Sequence, residues 1–309
     1  MRCAAFWKHT NIRNNNKIYP CCRYKSSIAK FDGDLEKVLY LPKYEELRNS
    51  DVSQKWECSK CIEEEKLGKK SLRQKFNNKY DTDTIELKFL ELGLDNICNL
   101  TCDGCYGEFS SEWSKIENPD KPNSYHIRST KEFDSVPDTV DKILFLGGEP
   151  LMTKRHYKVL EQVNNKNNVS ITYNTNGTFL LNDQTIKLLK KFKSVKFIVS
   201  IDGFGELNDK VRTGSKWDDI LIFIQQIKKL NFKISVNSVL HLNNWHGFGQ
   251  LAEFISIMDL EWSVNVLTYP NHLNIINLKD KDKCLSLINS IDNLPNKEYI
   301  IRHINENII

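Results

Sequence analysis

Three cysteines, Cys98, Cys102 and Cys105, stand in the spacing CxxxCxxC just after the alternating apolar stretch Ile85–Leu92. A structural zinc site takes four protein ligands, usually as paired knuckles. Three thiolates on one loop suit a different object, a cubane of four irons whose fourth iron has no protein ligand. That iron is free to take a substrate or cofactor, as the open position of a catalytic zinc site does. Spacing alone also admits a zinc site whose fourth ligand comes from elsewhere. A second group lies near the start of the chain, with Cys3, then Cys21-Cys22, then Trp56-Glu-Cys58-Ser-Lys-Cys61. Its CxxC knuckle is equally compatible with a zinc that staples a core-poor module.

Further motifs follow in order: Ile143-Leu-Phe-Leu-Gly147-Gly148-Glu149-Pro150, then Tyr173-Asn174-Thr-Asn176-Gly177-Thr178, then Val199-Ser200-Ile-Asp202-Gly203 with Arg212-Thr-Gly214 behind it. With the cysteine triplet, this set resembles the radical S-adenosylmethionine (SAM) enzymes, in particular the branch with an extra twitch (half-SPASM) cluster domain. The resemblance runs from Cys3 to about Pro270. It implies a [4Fe–4S] cluster on Cys98, Cys102 and Cys105 whose open iron chelates the amino and carboxylate groups of SAM. One electron delivered to the sulfonium then breaks a C–S bond and yields a 5′-deoxyadenosyl radical, which abstracts hydrogen from a substrate. Such clusters reach potentials of roughly −700 mV.

On the same resemblance the remaining motifs hold SAM. Gly147 and Gly148 allow close backbone approach, and Glu149, followed by Pro150, balances the ammonium charge. Ser200, Asp202 and Arg212 reach the ribose and carboxylate ends, the guanidinium offering a planar fork. Asn174 and Asn176 line the mouth, and Val266 and Leu267 pack on the adenine. Two departures stand out. The residue before the last cluster cysteine, usually aromatic in the superfamily, is Gly104 here, with Tyr106 or another side chain as its replacement. In the N-terminal group the resemblance implies an auxiliary [4Fe–4S] cluster on Cys3, Cys21, Cys58 and Cys61. The glycine expected with four residues between it and the second ligand is Asn16, a residue type that tolerates the left-handed conformation. Cys22, next to Cys21, is left over as the alternative ligand.

The expected substrate is a peptide or protein, with a small molecule second, and the expected reductant is a flavodoxin or ferredoxin. No side chain stands out as a catalytic acid or base. The competing reading is a non-catalytic zinc- or iron–sulfur-binding interaction protein, which gives no reason for Gly-Gly-Glu-Pro and Ser-Ile-Asp-Gly at strand ends. The histidines 126, 156, 241, 246 and 272 show no metal spacing, and Cys284 reads as a small core residue.

The elements that must position these groups follow an α/β pattern. Strands are expected at 85–92, 142–147, 169–175, 195–202, 232–240 and 262–269, separated by amphipathic segments such as Ile220/Phe223/Ile224/Ile227. Alternating strands and helices build a parallel sheet, and six strands rather than eight imply a partial (β/α)6 TIM-like barrel, the fold the resemblance also implies. Each motif then sits beyond the carboxyl end of a strand, where chemistry collects in such sheets. The expected division is a cysteine-rich module at 1–78 and a barrel at 79–309. With 309 residues, 40% of them hydrophobic and 27% charged, the chain can bury a sizeable core. A net charge of +4 is too mild to imply a nucleic-acid partner. Nine cysteines, no long apolar run and no signal-peptide core imply a reducing, cytoplasmic setting with neither membrane nor nucleic-acid partner.

Overall fold

The computed structural model describes residues 1–128, 132–133 and 135–306. Its N-terminal part holds α1 (Ala5–Lys8), β1 (His9–Ile12), β2 (Lys17–Tyr19), β3 (Ala29–Lys30), α2 (Pro42–Arg48), α3 (Ser59–Lys66) and α4 (Leu72–Lys79). There follow β4 (Phe89–Gly93), β5 (Thr101–Cys102), α5 (Ser111–Glu117), β6 (Lys142–Leu146), α6 (Arg155–Glu161), β7 (Ser170–Thr175), α7 (Asp183–Leu189) and β8 (Ser194–Ser200). The chain continues through α8 (Glu206–Val211), β9 (Arg212–Thr213), α9 (Trp217–Lys229), β10 (Lys233–Leu240), α10 (Phe248–Ile257), β11 (Glu261–Val266), α11 (Lys281–Ser290) and α12 (Lys297–Glu306). Among the described residues no helix is long and apolar enough to cross a membrane.

The six expected strands are β4, β6, β7, β8, β10 and β11, and each runs parallel to its neighbours in chain order. The fold is therefore α/β with a central, mostly parallel sheet. One boundary differs by several residues: β4 begins at Phe89, because the amides of Glu86 and Lys88 donate to Trp7 O and Lys8 O instead of to a strand. Burial explains the sheet's packing. The residues Ile143, Phe145, Ile171, Tyr173, Val195, Phe197 and Val199 are buried, as are Ile220, Phe223, Ile224 and Ile227 of α9. The rings of Phe145, Tyr173 and Phe197 stack in a row across three strands at 4.9 and 5.3 Å. Each such side chain contributes about 1.5–3 kcal/mol. Alternate strand positions such as Asn174, Ser200 and Asn237 are polar and at least partly exposed.

The N-terminal part carries more regular structure than its sequence suggests. Strand β1 pairs in parallel with β4, a seventh parallel strand, and β2 and β3 extend the same sheet antiparallel. The stretch after α3 reaches the opposite edge. Lys69 Nζ donates to Glu64 and, at 3.3 Å, to Asn265 of β11, and it lies over the Tyr299 ring of α12. Leu67 joins a second apolar cluster with Leu240, Val264, Val266 and Ile300. The N-terminal segment thus contacts both edges of the barrel sheet. Asn16 has φ 61°, the left-handed conformation expected of it.

Candidate functional site

The Cys98–Cys105 loop hangs between β4 and α5 and is held by polar contacts from α5. Ser110 caps α5 by accepting from Trp113 N, and its own hydroxyl donates to Leu100 O at 2.7 Å. Ser111 Oγ receives Cys98 N and donates to Cys98 O. Trp113 Nε1 donates to Cys102 O, and Asn96 Nδ2 to Gly107 O. On the other side β5 pairs antiparallel with β9, which places Cys102 opposite Arg212. Two motifs far apart in sequence are thereby fixed in one register.

Cys98, Cys102 and Cys105 line a cavity of about 350 Å³ with Gly147, Gly148, Glu149, Asn174, Asn176, Ser200, Asp202, Arg212 and Leu267, within the roughly 300–1,000 Å³ of small-molecule sites. Pro150 does not line it, and Val266 is buried in the second apolar cluster. Tyr106, the expected stand-in for the missing aromatic, lines the cavity too, and Leu100, Leu146, Thr175, Val239 and Phe109 join it without having stood out in the sequence. Thr175, lying between Asn174 and Asn176, could have been found by its position alone.

Gly147 and Gly148 act on the backbone that leads into the Cys98–Cys105 loop. Gly147 has φ +126°, and a Cβ on Gly148 would stand 2.2 Å from Ile97 O. Gly148 N donates to Asp95 O, and Glu149 N to Ile97 O at 2.7 Å. The close approach made possible by glycine is thus to the backbone just before Cys98.

Glu149 is buried. Its carboxylate accepts from Leu151 N, from Thr175 Oγ1 at 2.8 Å and from Asn176 N at 2.7 Å. Burial nevertheless raises its pKa to about 7. The side-chain amide of Asn176 donates to Asn99 Oδ1, so this residue ties the end of β7 to the Cys98–Cys105 loop. Asp202 accepts from Val239 N at 2.7 Å and from Arg212 Nη1 at 2.6 Å. Arg212 Nε is buried with no hydrogen-bond partner. Burial works against the arginine's charge, but Cys102, Asp202 and Cys98 outweigh it and raise its pKa. A buried cation with an unused donor beside three thiols fits an anionic ligand. Burial pushes the Cys98 thiol up to about 11 and Cys105 up to about 12. Metal binding would reverse that shift and release protons.

Gly104, at the expected aromatic position, has φ +74°, and a Cβ there would meet Leu267 Cδ1 at 2.8 Å. Leu267 fills the space beside Gly104, and Tyr106 and Phe109 form an adjacent aromatic wall with ring centroids 5.1 Å apart.

In the N-terminal part Cys3, Cys21, Cys58 and Cys61 line one small cavity, otherwise bounded largely by Ala5, Phe6, Tyr24, Val52, Leu72 and Phe76. Cys22 is exposed and does not line it. Arg73 also lines this cavity, held by Glu65 through a bidentate pair at 3.0 and 2.5 Å. Burial raises Cys3 to about 12 and Cys58 to about 11. Four thiols from three segments around an apolar space form a donor set that fits a closed cubane. Among the described residues no three His, Cys, Asp or Glu side chains stand close enough to hold a single metal ion.

A model of the Radical SAM superfamily matches residues 94–255. The GTP 3′,8-cyclase of Campylobacter lari is 26% identical over 179 residues, 55% of this chain and 52% of that protein. A probable GTP 3′,8-cyclase of Methanocaldococcus jannaschii is 30% identical over 149 residues, 47% of this chain and 45% of that protein. The chain thus spans about half the length of the curated relatives it matches. Among solved structures, anSMEcpe with bound AdoMet superposes with a TM-score of 0.46 at 15% identity, covering 65% of this chain and 57% of that one. Streptococcus suis SuiB bound to its precursor peptide SuiA gives 0.45 at 15% identity, covering 81% and 60%.

Proposed function

The chain belongs to the radical SAM superfamily, and on that premise we propose that Cys98, Cys102 and Cys105 would hold a [4Fe–4S] cluster through which one electron from an external reductant cleaves SAM to begin hydrogen abstraction from a substrate. The observation that carries this reading is the single cavity shared by the three cysteines, Glu149, Ser200, Asp202 and Arg212. When bound, the cluster and SAM supply the electron and the 5′-deoxyadenosyl radical.

The protein's own residues do the rest. Ser110, Ser111 and Trp113 hold the backbone that carries the three cysteines. Arg212, anchored by Asp202 through Nη1 and lining the cavity, offers the cofactor's carboxylate its cationic guanidinium. Glu149 receives its ammonium, and Leu267 with Tyr106 and Phe109 shields the adenine end. Cys3, Cys21, Cys58 and Cys61 hold the auxiliary cluster, which has no open iron and so serves electron transfer or structure. The favoured substrate is a peptide or protein. A nucleotide is the second reading, favoured by relatives named as GTP 3′,8-cyclases. A flavodoxin or ferredoxin is the proposed reductant, and the cytoplasm the proposed location.

The test is anaerobic reconstitution. Wild type should take up about eight irons per chain and, with dithionite, release 5′-deoxyadenosine. The Cys98→Ala/Cys102→Ala/Cys105→Ala variant should release none above background. The Cys58→Ala/Cys61→Ala variant should lose about half the iron yet keep uncoupled cleavage. Release of 5′-deoxyadenosine by the triple variant would remove the central assignment. A single zinc in the N-terminal site would remove the auxiliary cluster.

A further inference from the structure

The strand that sequence periodicity missed brings one more residue to the rim of the site. β1 is parallel to β4, with Ile12 opposite Leu92, so Arg13 emerges beyond the carboxyl end of a parallel strand, where ligands bind in such sheets. The backbone agrees with this placement. A Cβ on Gly93 would lie 3.6 Å from Arg13 Cα and 3.4 Å from Leu146, a cavity residue.

The Arg13 guanidinium is half-buried and held by rings, its Cζ 3.8 Å from the Tyr19 centroid and 5.7 Å from that of Phe109. Phe109 itself lines the SAM cavity. Stacking fixes the plane of the guanidinium while leaving its N–H donors at the edge free. Among the described residues no hydrogen bond or ion pair uses those donors. By contrast, Arg23 is paired with Glu64, Arg73 with Glu65 and Arg212 with Asp202. The nearby turn is anchored independently, through Asn14 Nδ2 to Glu108 O and Asn15 Nδ2 to Glu108 Oε1. A half-buried cation kept in place by rings alone is preorganised for a ligand that supplies its counter-charge.

We propose that Arg13, on its Tyr19–Phe109 shelf, is a substrate anchor that takes a single carboxylate of an amino-acid or peptide substrate lying across the mouth of the SAM cavity. This rests on the enzyme reading above. Charge count selects a carboxylate over a polyphosphate. One free guanidinium matches one negative charge. Glu108, whose Oε1 accepts from Asn15 Nδ2 two residues along the chain from Arg13, adds a negative charge beside the turn, which opposes a multiply charged triphosphate more strongly than a single carboxylate.

The test uses the reconstituted, SAM-loaded wild-type protein and needs no turnover. Phenylglyoxal modifies accessible guanidinium groups, and mass mapping separates Arg13 from the exposed Arg2, which serves as internal reference. N-acetylglycine at about ten times its dissociation constant should slow modification of Arg13 about tenfold and leave Arg2 unchanged. Inorganic triphosphate should do no more than sodium chloride of equal ionic strength. An unchanged Arg13 rate with N-acetylglycine, or equal protection by chloride, overturns the anchor. Protection by triphosphate alone overturns the carboxylate assignment in favour of a nucleotide. Release of 5′-deoxyadenosine is measured on the same preparation. Release with Arg13 unprotected sinks the anchor and leaves the enzyme reading standing, whereas protection without release sinks the enzyme reading and leaves the anion site.

Discussion

Gly148 offers the sharpest perturbation, because two readings of the Gly-Gly-Glu-Pro turn diverge there. If its glycines only make room for SAM, a methyl group should weaken SAM binding and leave the cluster intact. The structure puts the conflict elsewhere. An alanine Cβ at 148 would stand 2.2 Å from Ile97 O and 2.6 Å from Asn96 C, where an ordinary carbon–oxygen contact needs about 3.3 Å. The loop before Cys98 must therefore retreat by about 1 Å. Overpacking of this kind costs about 1–3 kcal/mol. The two backbone bonds at risk, Gly148 N to Asp95 O and Glu149 N to Ile97 O, contribute about 0.5–1.5 kcal/mol each. The total, about 2–6 kcal/mol, is large but within the about 5–15 kcal/mol of a folded domain, so the chain should stay folded and release the loop. Gly148→Ala should then lose about half of about eight irons, abolish release of 5′-deoxyadenosine, and melt a few degrees lower. Gly205→Ala is the control: nothing lies within 4 Å of the new Cβ, and the backbone at φ +57°, ψ −131° should cost a non-glycine residue about 1–3 kcal/mol, so stability should fall without loss of iron. Wild-type iron content and cleavage rate in Gly148→Ala would refute this account of the turn.

The barrel strands were legible because they are buried on at least one face and rich in β-branched and aromatic residues, as in Ile143-Leu-Phe-Leu and Val195-Lys-Phe-Ile-Val. The motifs were legible because each sits where such a strand ends. β1 was not, for a physical reason. Its residues His9, Thr10, Asn11 and Ile12 are all buried, yet three of them are polar, so no alternation marks the strand. Their burial depends on partners distant in sequence. Asn11 Nδ2 donates to Glu91 Oε2 at 2.6 Å, and His9 Nδ1 meets Pro20 O at 2.8 Å. Arg13 was hidden with β1, since an arginine after a polar tetrapeptide reads as loop surface.

Gly104 shows the same limit inside a recognised motif. The sequence reveals that the usual aromatic is missing, but not what fills its place. Leu267, 163 positions later in the sequence, meets the space a side chain at 104 would need. A pair of this kind is visible only after β11 has been laid beside β10, with Val266 opposite Leu240. Composition and spacing carry the chemistry of a ligand set, whereas side-chain complementarity between distant strands depends on the fold.

Two further substitutions bear on the cofactor. Arg212→Lys keeps the charge but loses the planar fork held by Asp202, and should weaken SAM binding by roughly tenfold to a hundredfold at unchanged iron content; wild-type affinity by equilibrium dialysis would take Arg212 out of the site. Glu149 makes a prediction whose sign is fixed by its surroundings. Burial holds its carboxyl up to about 7, against the N–H groups of Asn176 and Leu151, the Thr175 hydroxyl and the Arg212 charge. The folded protein therefore holds this proton more tightly than the unfolded chain, and stability should fall as pH rises from about 4.3, the ordinary glutamate value, toward about 7. SAM binding should run the other way, because its ammonium is drawn to the ionised carboxylate. Affinity should rise with pH up to about 7 and then level, being about tenfold weaker one pH unit below. Glu149→Gln, which keeps the shape of the group and loses the titration, should abolish that slope. Binding of SAM to the reconstituted protein between about pH 6 and pH 8 reads both curves. If wild type and Glu149→Gln gave parallel curves, some other group would carry the pH dependence, and the pairing of Glu149 with the cofactor's ammonium would be wrong.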